Sequence, residues 1–193
     1  MGEAKWVRFA VMAVSMVAVV LAAAPAVAMP AVSCTATSQT EPFLGESFGG
    51  SVSFDRTADI GFAPGVELEL DPAITVTGAQ ALGSAITVDD LGVGPATVVH
   101  PVTGETVVIA ANKRLVVLRI PLSSLSAAAP TVDVDIDYAV AADAVLGAPL
   151  DICPSCAFFY GADALNIPVP DAPVRAAAPA IGVTPTVIRL SAS

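Results

Sequence analysis

Hydrophobic and polar residues alternate with a period of two along much of the chain after residue 45. In the clearest run, 131–140, four apolar positions alternate with four polar ones: Val132, Val134, Ile136 and Tyr138 against Thr131, Asp133, Asp135 and Asp137. Successive side chains of a β-strand point to opposite faces, so one face of this segment is apolar and the other polar. The pattern predicts an antiparallel strand with one face in a core and one in water.

Shorter runs of the same kind recur, separated by segments rich in glycine and proline. We predict strands at Ser47–Phe54, Gly65–Leu70, Ala73–Thr77, Ala85–Val88, Ala96–Val99, Glu105–Ala110 and Arg114–Ile120. We predict turns at Phe62–Gly65, Leu91–Pro95, Pro101–Gly104 and Pro121–Ser124. Short strands at this spacing predict an all-β fold, an antiparallel immunoglobulin-like β-sandwich.

The first 28 residues have the pattern of a cleavable signal peptide. Lys5 and Arg8 precede an apolar run, Phe9–Ala24, and Ala26-Val27-Ala28 provides a small-x-small cleavage site. We predict cleavage after Ala28. The alternative is a retained membrane anchor, but the apolar run is shorter than the roughly 20 residues that a bilayer requires.

Composition narrows the class of protein. The chain is 55% hydrophobic, and its formal charge is -10, which argues against a disordered tail and against nucleic acid or anionic membrane surfaces as partners. It contains 14 Gly and 16 Pro, which long helices do not tolerate. Aromatic residues are only 5%, and the one tryptophan, Trp6, belongs to the predicted signal peptide. Few rings therefore remain to stack sugars or bases.

The predicted organisation has three parts. Residues 1–28 are the signal peptide, 29–166 a single sandwich domain, and 167–193 a proline-rich linker or edge segment followed by the start of a further strand or domain. Prolines within Ile167–Pro185 predict extended chain, and Thr186–Leu190 begins another apolar alternation.

The order of several phrases resembles a known group of proteins. These are PVTGET (101–106), RIPLSSL (119–125), the Asp-rich strand, LGAPL (146–150) and FYGADALN (159–166). Together, over roughly Gly61–Leu190, they resemble the leading domain of bacterial surface proteins built from immunoglobulin-like repeats, among them isopeptide-forming fimbrial and adhesin-like proteins. The resemblance implies a non-enzymatic, exported, multi-domain stalk or adhesive coat.

The resemblance also raises the question of an isopeptide bond at Lys113. Such a bond needs a buried lysine beside a catalytic acid. Lys113 lies in the polar sequence Asn112-Lys113-Arg114, which predicts a turn in water. We therefore expect no isopeptide bond there.

Gly45-Glu46-Ser47-Phe48-Gly49 matches the nucleophile elbow of serine hydrolases, with His100 as the candidate base. An elbow needs an apolar strand before the serine and a helix after it. Here the sequence that follows Ser47 predicts a strand, so a glycine-flanked strand or bulge is the better interpretation. His100 precedes Pro101 at a predicted turn, which favours a surface position.

Asp133, Asp135 and Asp137 resemble the opening of a calcium loop, but Tyr138 and Ala144 replace its required glycine and glutamate. On a strand, alternate carboxylates are roughly 7 Å apart, too far to share one ion closely. We predict a surface acidic stripe that resists edge pairing. A calcium ion at a turn, with Asp89 and Asp90 as ligands, stays open.

The three cysteines of the chain allow several alternative pairings or modifications. Export favours oxidation, and Cys153-Pro154-Ser155-Cys156 suits a local bridge between its two cysteines. Alternatively, Cys34 bridges to one of that pair, or carries a lipid. A zinc site would need a second cysteine pair, which the sequence lacks.

Taken together, the sequence predicts a secreted or cell-surface structural or adhesive module with no catalytic residues, no metal ligands and no cofactor. The predicted partners are other surface-protein domains or an extracellular partner, with no nucleic acid and no membrane after cleavage. Alternatives from other classes are a small exported serine hydrolase that uses Ser47 and His100, and a soluble ligand-binding or calcium-binding module.

Overall fold

The computed structural model describes residues 31–36, 41–55, 61–121, 124–125, 131–152, 157–161, 174–177 and 182–185. The predicted signal peptide, the pair Cys153 and Cys156, and Thr186–Leu190 lie outside these ranges. The described residues form strands and no helix. In chain order the strands are β1 Ala31–Ala36, β2 Ser47–Asp55, β3 Gly61–Leu70, β4 Ile74–Ala81, β5 Ser84–Ala85, β6 Thr87–Val93, β7 Ala96–Val99, β8 Thr106–Ile109, β9 Arg114–Arg119, β10 Ser124–Leu125, β11 Thr131–Val140, β12 Leu150–Asp151, β13 Ala157–Gly161, β14 Val174–Ala177 and β15 Gly182–Val183.

Two antiparallel sheets make up the sandwich. The first has the strand order β1-β2-β11-β4-β5, and the second has the order β14-β13-β3-β9-β6, with β10 beside β3. Two smaller pairs complete the described chain, β12 with β15 and the β7–β8 hairpin. The predicted all-β, antiparallel fold is therefore confirmed.

Strand β11 lies at the centre of the first sheet and shows the predicted alternation. It pairs with β2 on one side and β4 on the other, so that Val134 lies between Val52 and Ala81. Val134 is completely buried, whereas Asp133 and Asp135 beside it are exposed. The period of two places Val132, Val134, Ile136, Tyr138 and Val140 inward, and a slip of one residue would bury the carboxylates.

The main core lies between the sheets. It gathers inward-facing side chains from both, including Ile136 of β11 in the first sheet and Leu68 of β3 and Phe158 of β13 in the second. Phe48 and Tyr138 stack with ring centroids 5.2 Å apart, on neighbouring strands of the first sheet. This burial of alternate side chains from two sheets is the main source of stability in a sandwich.

One predicted turn, Phe62–Gly65, is wrong, because these residues belong to β3. The chain bends there without reversing: Ala63 has φ 45°, and Pro64 and Gly65 are buried. The turn at Pro101–Gly104 is confirmed by a hydrogen bond from the Gly104 amide to the His100 carbonyl. At Leu91–Pro95, strand β6 continues to Val93, with a bulge between Asp90 and Gly92.

Strand β13 has no counterpart in the prediction. It pairs with β3 on one side and β14 on the other. Strand β14 falls within the proline-rich segment, for which the sequence left a linker or an edge segment open. Residues Val174–Ala177 form an edge strand, because β14 is the outermost strand of the second sheet.

The second sheet is also covered on its outer face. Phe159 on β13 and Val117 on β9 are fully buried, although each alternates with residues of the main core and therefore points away from it. Ile109 and His100, from the β7–β8 hairpin, are buried as well and lie outside the main core. We call Phe159, Val117, Leu115, Ile109 and His100 the outer cluster.

At Gly65 the outer packing leaves no room for a side chain. A Cβ there would overlap the ring of Phe159, its cross-strand partner, and would lie 2.9 Å from the carbonyl oxygen of Leu118. We expect Gly65→Ala to lower the free energy of unfolding by about 1–3 kcal/mol, as overpacked sites do. Urea unfolding measures this.

Gly78→Ala is the matched control, since its Cβ would meet only the flexible carboxylate of Asp137. The control should change the free energy of unfolding by less than about 1 kcal/mol. Equal stability of Gly65→Ala and the unmodified protein would contradict the position of the Phe159 ring.

Candidate functional site

Ser47 and His100, the candidate hydrolase pair, belong to different sheets. Ser47 begins β2 in the first sheet, opposite Ala139 of β11. The chain before it makes a tight turn, in which the Glu46 amide donates to the carbonyl of Phe43, and the chain after it continues as a strand. The glycine-flanked strand predicted for this motif is therefore present, without the helix that an elbow requires.

His100 is buried, contrary to the surface position expected from the sequence. Its side chain is 1% exposed and lies edge-on against the ring of Phe159, with ring centroids 5.1 Å apart. The prediction failed because the β7–β8 hairpin folds over the outer face of the second sheet, a long-range contact that the local sequence does not reveal.

The imidazole ring of His100 accepts hydrogen bonds from the backbone of the adjacent turn. Nδ1 accepts from the backbone amides of Val102, at 3.3 Å, and Thr103, at 3.0 Å. With Nδ1 as acceptor, a proton is carried by Nε2, which lies 3.3 Å from Oε1 of Glu67. His100 thus holds the turn of the hairpin and packs it against β3, while neither nitrogen faces Ser47.

We expect His100→Ala to loosen the β7–β8 hairpin without unfolding the sandwich. The substitution removes the acceptor of a buried amide, which costs about 1–3 kcal/mol, and leaves a cavity beside Phe159. Amide hydrogen exchange should rise at least tenfold in β7 and β8 and stay unchanged in β2 and β11. Equal protection of the hairpin in both proteins would contradict the anchoring role.

The acidic stripe lies on the open face of the first sheet. Asp133, Asp135 and Asp137 are exposed on β11, and their cross-strand neighbours on β2 are small: Ser53, Ser51 and Gly49. The Ser53 hydroxyl donates to Asp133 at 2.5 Å. A shallow depression of about 390 Å³ next to Asp137 is lined by polar and small residues, including Ser47 and Thr77. The stripe is a wet, nearly flat surface.

The aspartates considered for calcium are held by arginines. Asp89 accepts two hydrogen bonds from Arg119, and Asp90 pairs with Arg114. The hydrogen bond to Asp89 raises the pKa of Arg119 above its ordinary value. Within the described ranges, no three His, Cys, Asp or Glu side chains gather as metal ligands do.

Lys113 forms an ion pair in which its Nζ lies 2.8 Å from Oδ2 of Asp151. The side chain of Asp151 is 52% exposed, so water solvates the pair. An amide bond between the two would need a protonated carboxyl in a buried site, which this environment does not provide.

Of the three cysteines, the structure describes only the backbone at Cys34, which lies in β1 opposite Val52. The three alternatives for the cysteines, a local Cys153–Cys156 bridge, a bridge to Cys34 and a lipid on Cys34, stay predictions.

Sequence reasoning missed Glu67 and Phe159 as the contacts of His100. The sequence pattern indicates that Glu67 is a polar position of an alternating strand and that Phe159 is part of an apolar stretch. Neither pattern carries a signal that a hairpin about 30 residues from Glu67 and about 60 residues from Phe159 covers the same face.

Comparisons with family models and with curated protein sequences find no match. Solved structures of similar fold include BcpA, the major pilin subunit of Bacillus cereus, at 11% identity and a TM-score of 0.46 over 82% of this chain and 41% of the pilin. A cohesin module from a Clostridium perfringens family 33 glycoside hydrolase is 9% identical, with a TM-score of 0.48 over 81% of this chain and 96% of the module. AvmM, which catalyses macrocyclization in alchivemycin A biosynthesis, is 10% identical, with a TM-score of 0.47 over 84% of this chain and 91% of AvmM.

The chain spans about two fifths of the length of the BcpA pilin. An overall fold alone does not define a role, so the role of this chain follows from its own residues. None of the described residues belongs to a helix long and apolar enough to cross a membrane.

Proposed function

We propose that this protein is a non-enzymatic structural or adhesive module of an exported bacterial surface protein. The observation that carries the proposal is the use of His100, its only histidine, as a buried packing group. Its Nδ1 accepts hydrogen bonds from two backbone amides, so this nitrogen is not available as a base for Ser47. The signal-peptide pattern and the sequence resemblance to surface-protein domains support the same role.

The charges of the described residues fit this role. The basic side chains described in the structure, Lys113, Arg114 and Arg119, each pair with an aspartate. The carboxylates of the acidic stripe face water, where they keep the first sheet soluble and disfavour sheet-to-sheet association. The sandwich then serves as a stable support that positions its surfaces for other protein domains or for an extracellular partner.

A serine-reactive fluorophosphonate probe tests the absence of hydrolase chemistry. We expect no labelling of the purified protein and no cleavage of a nitrophenyl ester above the rate of a Ser47→Ala control. Labelling of Ser47 that disappears in Ser47→Ala and falls in His100→Gln would contradict the proposal and establish a hydrolase.

Export is tested separately by expression with the complete leader in a bacterial host. The proposal predicts that the protein leaves the cytoplasm and that its mass corresponds to a chain beginning at Met29. An uncleaved protein that stays in the cytosol would contradict the proposed location.

A further inference from the structure

The β7–β8 hairpin has an outer edge on each of its strands, and that of β8 lies next to a cleft. Among the described residues, β8 pairs only with β7. The His100 amide donates to the carbonyl of Glu105, and hydrogen-bonded pairs alternate along an antiparallel ladder. The next such pairs are therefore Val98 with Val107 and Ala96 with Ile109. The backbone groups of Thr106 and Val108 point away from β7, toward the open edge.

This edge lacks the features that discourage strand addition. Its sequence is Thr106-Val107-Val108-Ile109, with no charge and no proline. By contrast β6, at one edge of the second sheet, carries Asp89 and Asp90 and a bulge. Charged residues and bulges are the usual protection of edge strands. Strand β8 is thus chemically suited to pair with another extended chain.

The open edge borders a narrow cleft. Residues 107–110 of the hairpin form one wall, and Glu67, Glu69 and Leu115 of the second sheet form the other; we call this the edge cleft. Its volume is about 140 Å³, well below the roughly 300–1,000 Å³ of small-molecule pockets. The cleft therefore has room for a side chain rather than for a whole ligand.

The chemistry of the edge cleft favours a cationic side chain. Its apolar walls suit an aliphatic stem, and two carboxylates on alternate positions of β3 stand on the same face. The basic side chains described in the structure pair with Asp151, Asp90 and Asp89, and none of them pairs with Glu69. A lysine or arginine from outside would place its charge beside Glu69.

We propose that β8 and the edge cleft bind an extended segment of a partner protein in which lysine or arginine alternates with apolar residues. The segment adds to β8 as a third strand, through hydrogen bonds to the backbone of Thr106 and Val108. One set of its side chains then enters the cleft toward Glu67 and Glu69. The other set lies on the outer face, beside Val108, which is 72% exposed. Backbone pairing gives affinity and the alternate side chains give specificity in this mode of recognition. This site goes beyond the proposed structural role and does not depend on it.

The test uses the purified protein and a capped pentapeptide that alternates valine and lysine, with valine at both ends. Titration followed by amide NMR should shift the signals of Thr106 and Val108 and slow their hydrogen exchange. A peptide with glutamate in place of lysine should bind at least tenfold more weakly. A valine–lysine peptide that is N-methylated along its pairing edge should not bind.

Charge reversal in the protein provides the matched pair of variants. Glu69→Lys should weaken the valine–lysine peptide at least tenfold, whereas Asp135→Lys, an equal change of charge on the opposite sheet, should change its affinity less than twofold. Shifts centred on the acidic stripe, equal binding of the glutamate peptide, or association of two copies through β8 without peptide would each overturn the proposal. Absence of binding would overturn it while leaving the proposed structural role intact.

Discussion

Val134→Asp is expected to leave the protein unfolded at 25 °C. Val134 is completely buried at the centre of β11, between Val52 and Ala81 in register on the two neighbouring strands. An unpaired carboxylate at this place would lose its hydration and gain no cation, at a cost of several kcal/mol. A cost of that size is comparable to the roughly 5–15 kcal/mol that stabilises a whole domain. Far-UV circular dichroism and urea titration measure the outcome.

Asp135→Val, one residue farther along, is the control for this prediction. Asp135 is exposed on the opposite face of the same strand, so valine there should change the free energy of unfolding by less than about 1 kcal/mol. The contrast between adjacent positions isolates the alternation from any general effect of charge on β11. A folded Val134→Asp, or an unfolded Asp135→Val, would contradict the assignment of faces.

Phe158→Ala is expected to remove about 3–5 kcal/mol from the free energy of unfolding, as large-to-small substitutions of buried phenylalanine do. Phe158 is fully buried in the main core, where its ring packs near that of Tyr160, with centroids 5.9 Å apart. The substitution destabilises the whole sandwich, so all probes should show a single unfolding transition at a lower urea concentration. Urea unfolding followed by tyrosine fluorescence and by circular dichroism should give the same midpoint.

Phe159→Ala, at the next position, is expected to act on the other face of the second sheet. Its ring is also fully buried, but it lies against His100 in the outer cluster rather than in the main core. The substitution should increase amide exchange in the β7–β8 hairpin far more than in β2 and β11. Equal loss of protection in the hairpin and in the first sheet would contradict the separation of the two clusters.

Local alternation was sufficient to predict those elements that have one dry face and one wet face. In β11 each inward position is apolar and the outward positions from Thr131 to Asp137 are polar, so the strand, its faces and its exposed aspartates all follow from the period of two. The hairpin turn at Pro101–Gly104 was predictable for a similar reason, because its proline and glycine report local backbone geometry.

The remaining features depend on contacts between distant segments. Strand β13 is buried on both faces, with Phe158 inward and Phe159 outward, so its sequence is continuously apolar and shows no period. The burial of His100 and the edge cleft arise because a hairpin folds onto β3 and β9, and the charge of Glu67 gives no sign of what lies above it. The turn predicted at Phe62–Gly65 failed because Gly65 makes room for a ring on the next strand, a use of glycine that resembles a turn signal.

The most direct test of the two-faced second sheet is a set of nuclear Overhauser contacts from the rings of Phe158 and Phe159 in the isotopically labelled protein. The account predicts contacts from the Phe159 ring to the imidazole of His100, and from the Phe158 ring to side chains of the main core such as Tyr160. It also predicts backbone contacts that place Val134 between Val52 and Ala81. Contacts from Phe159 to the main core, with His100 exposed to water, would contradict the account.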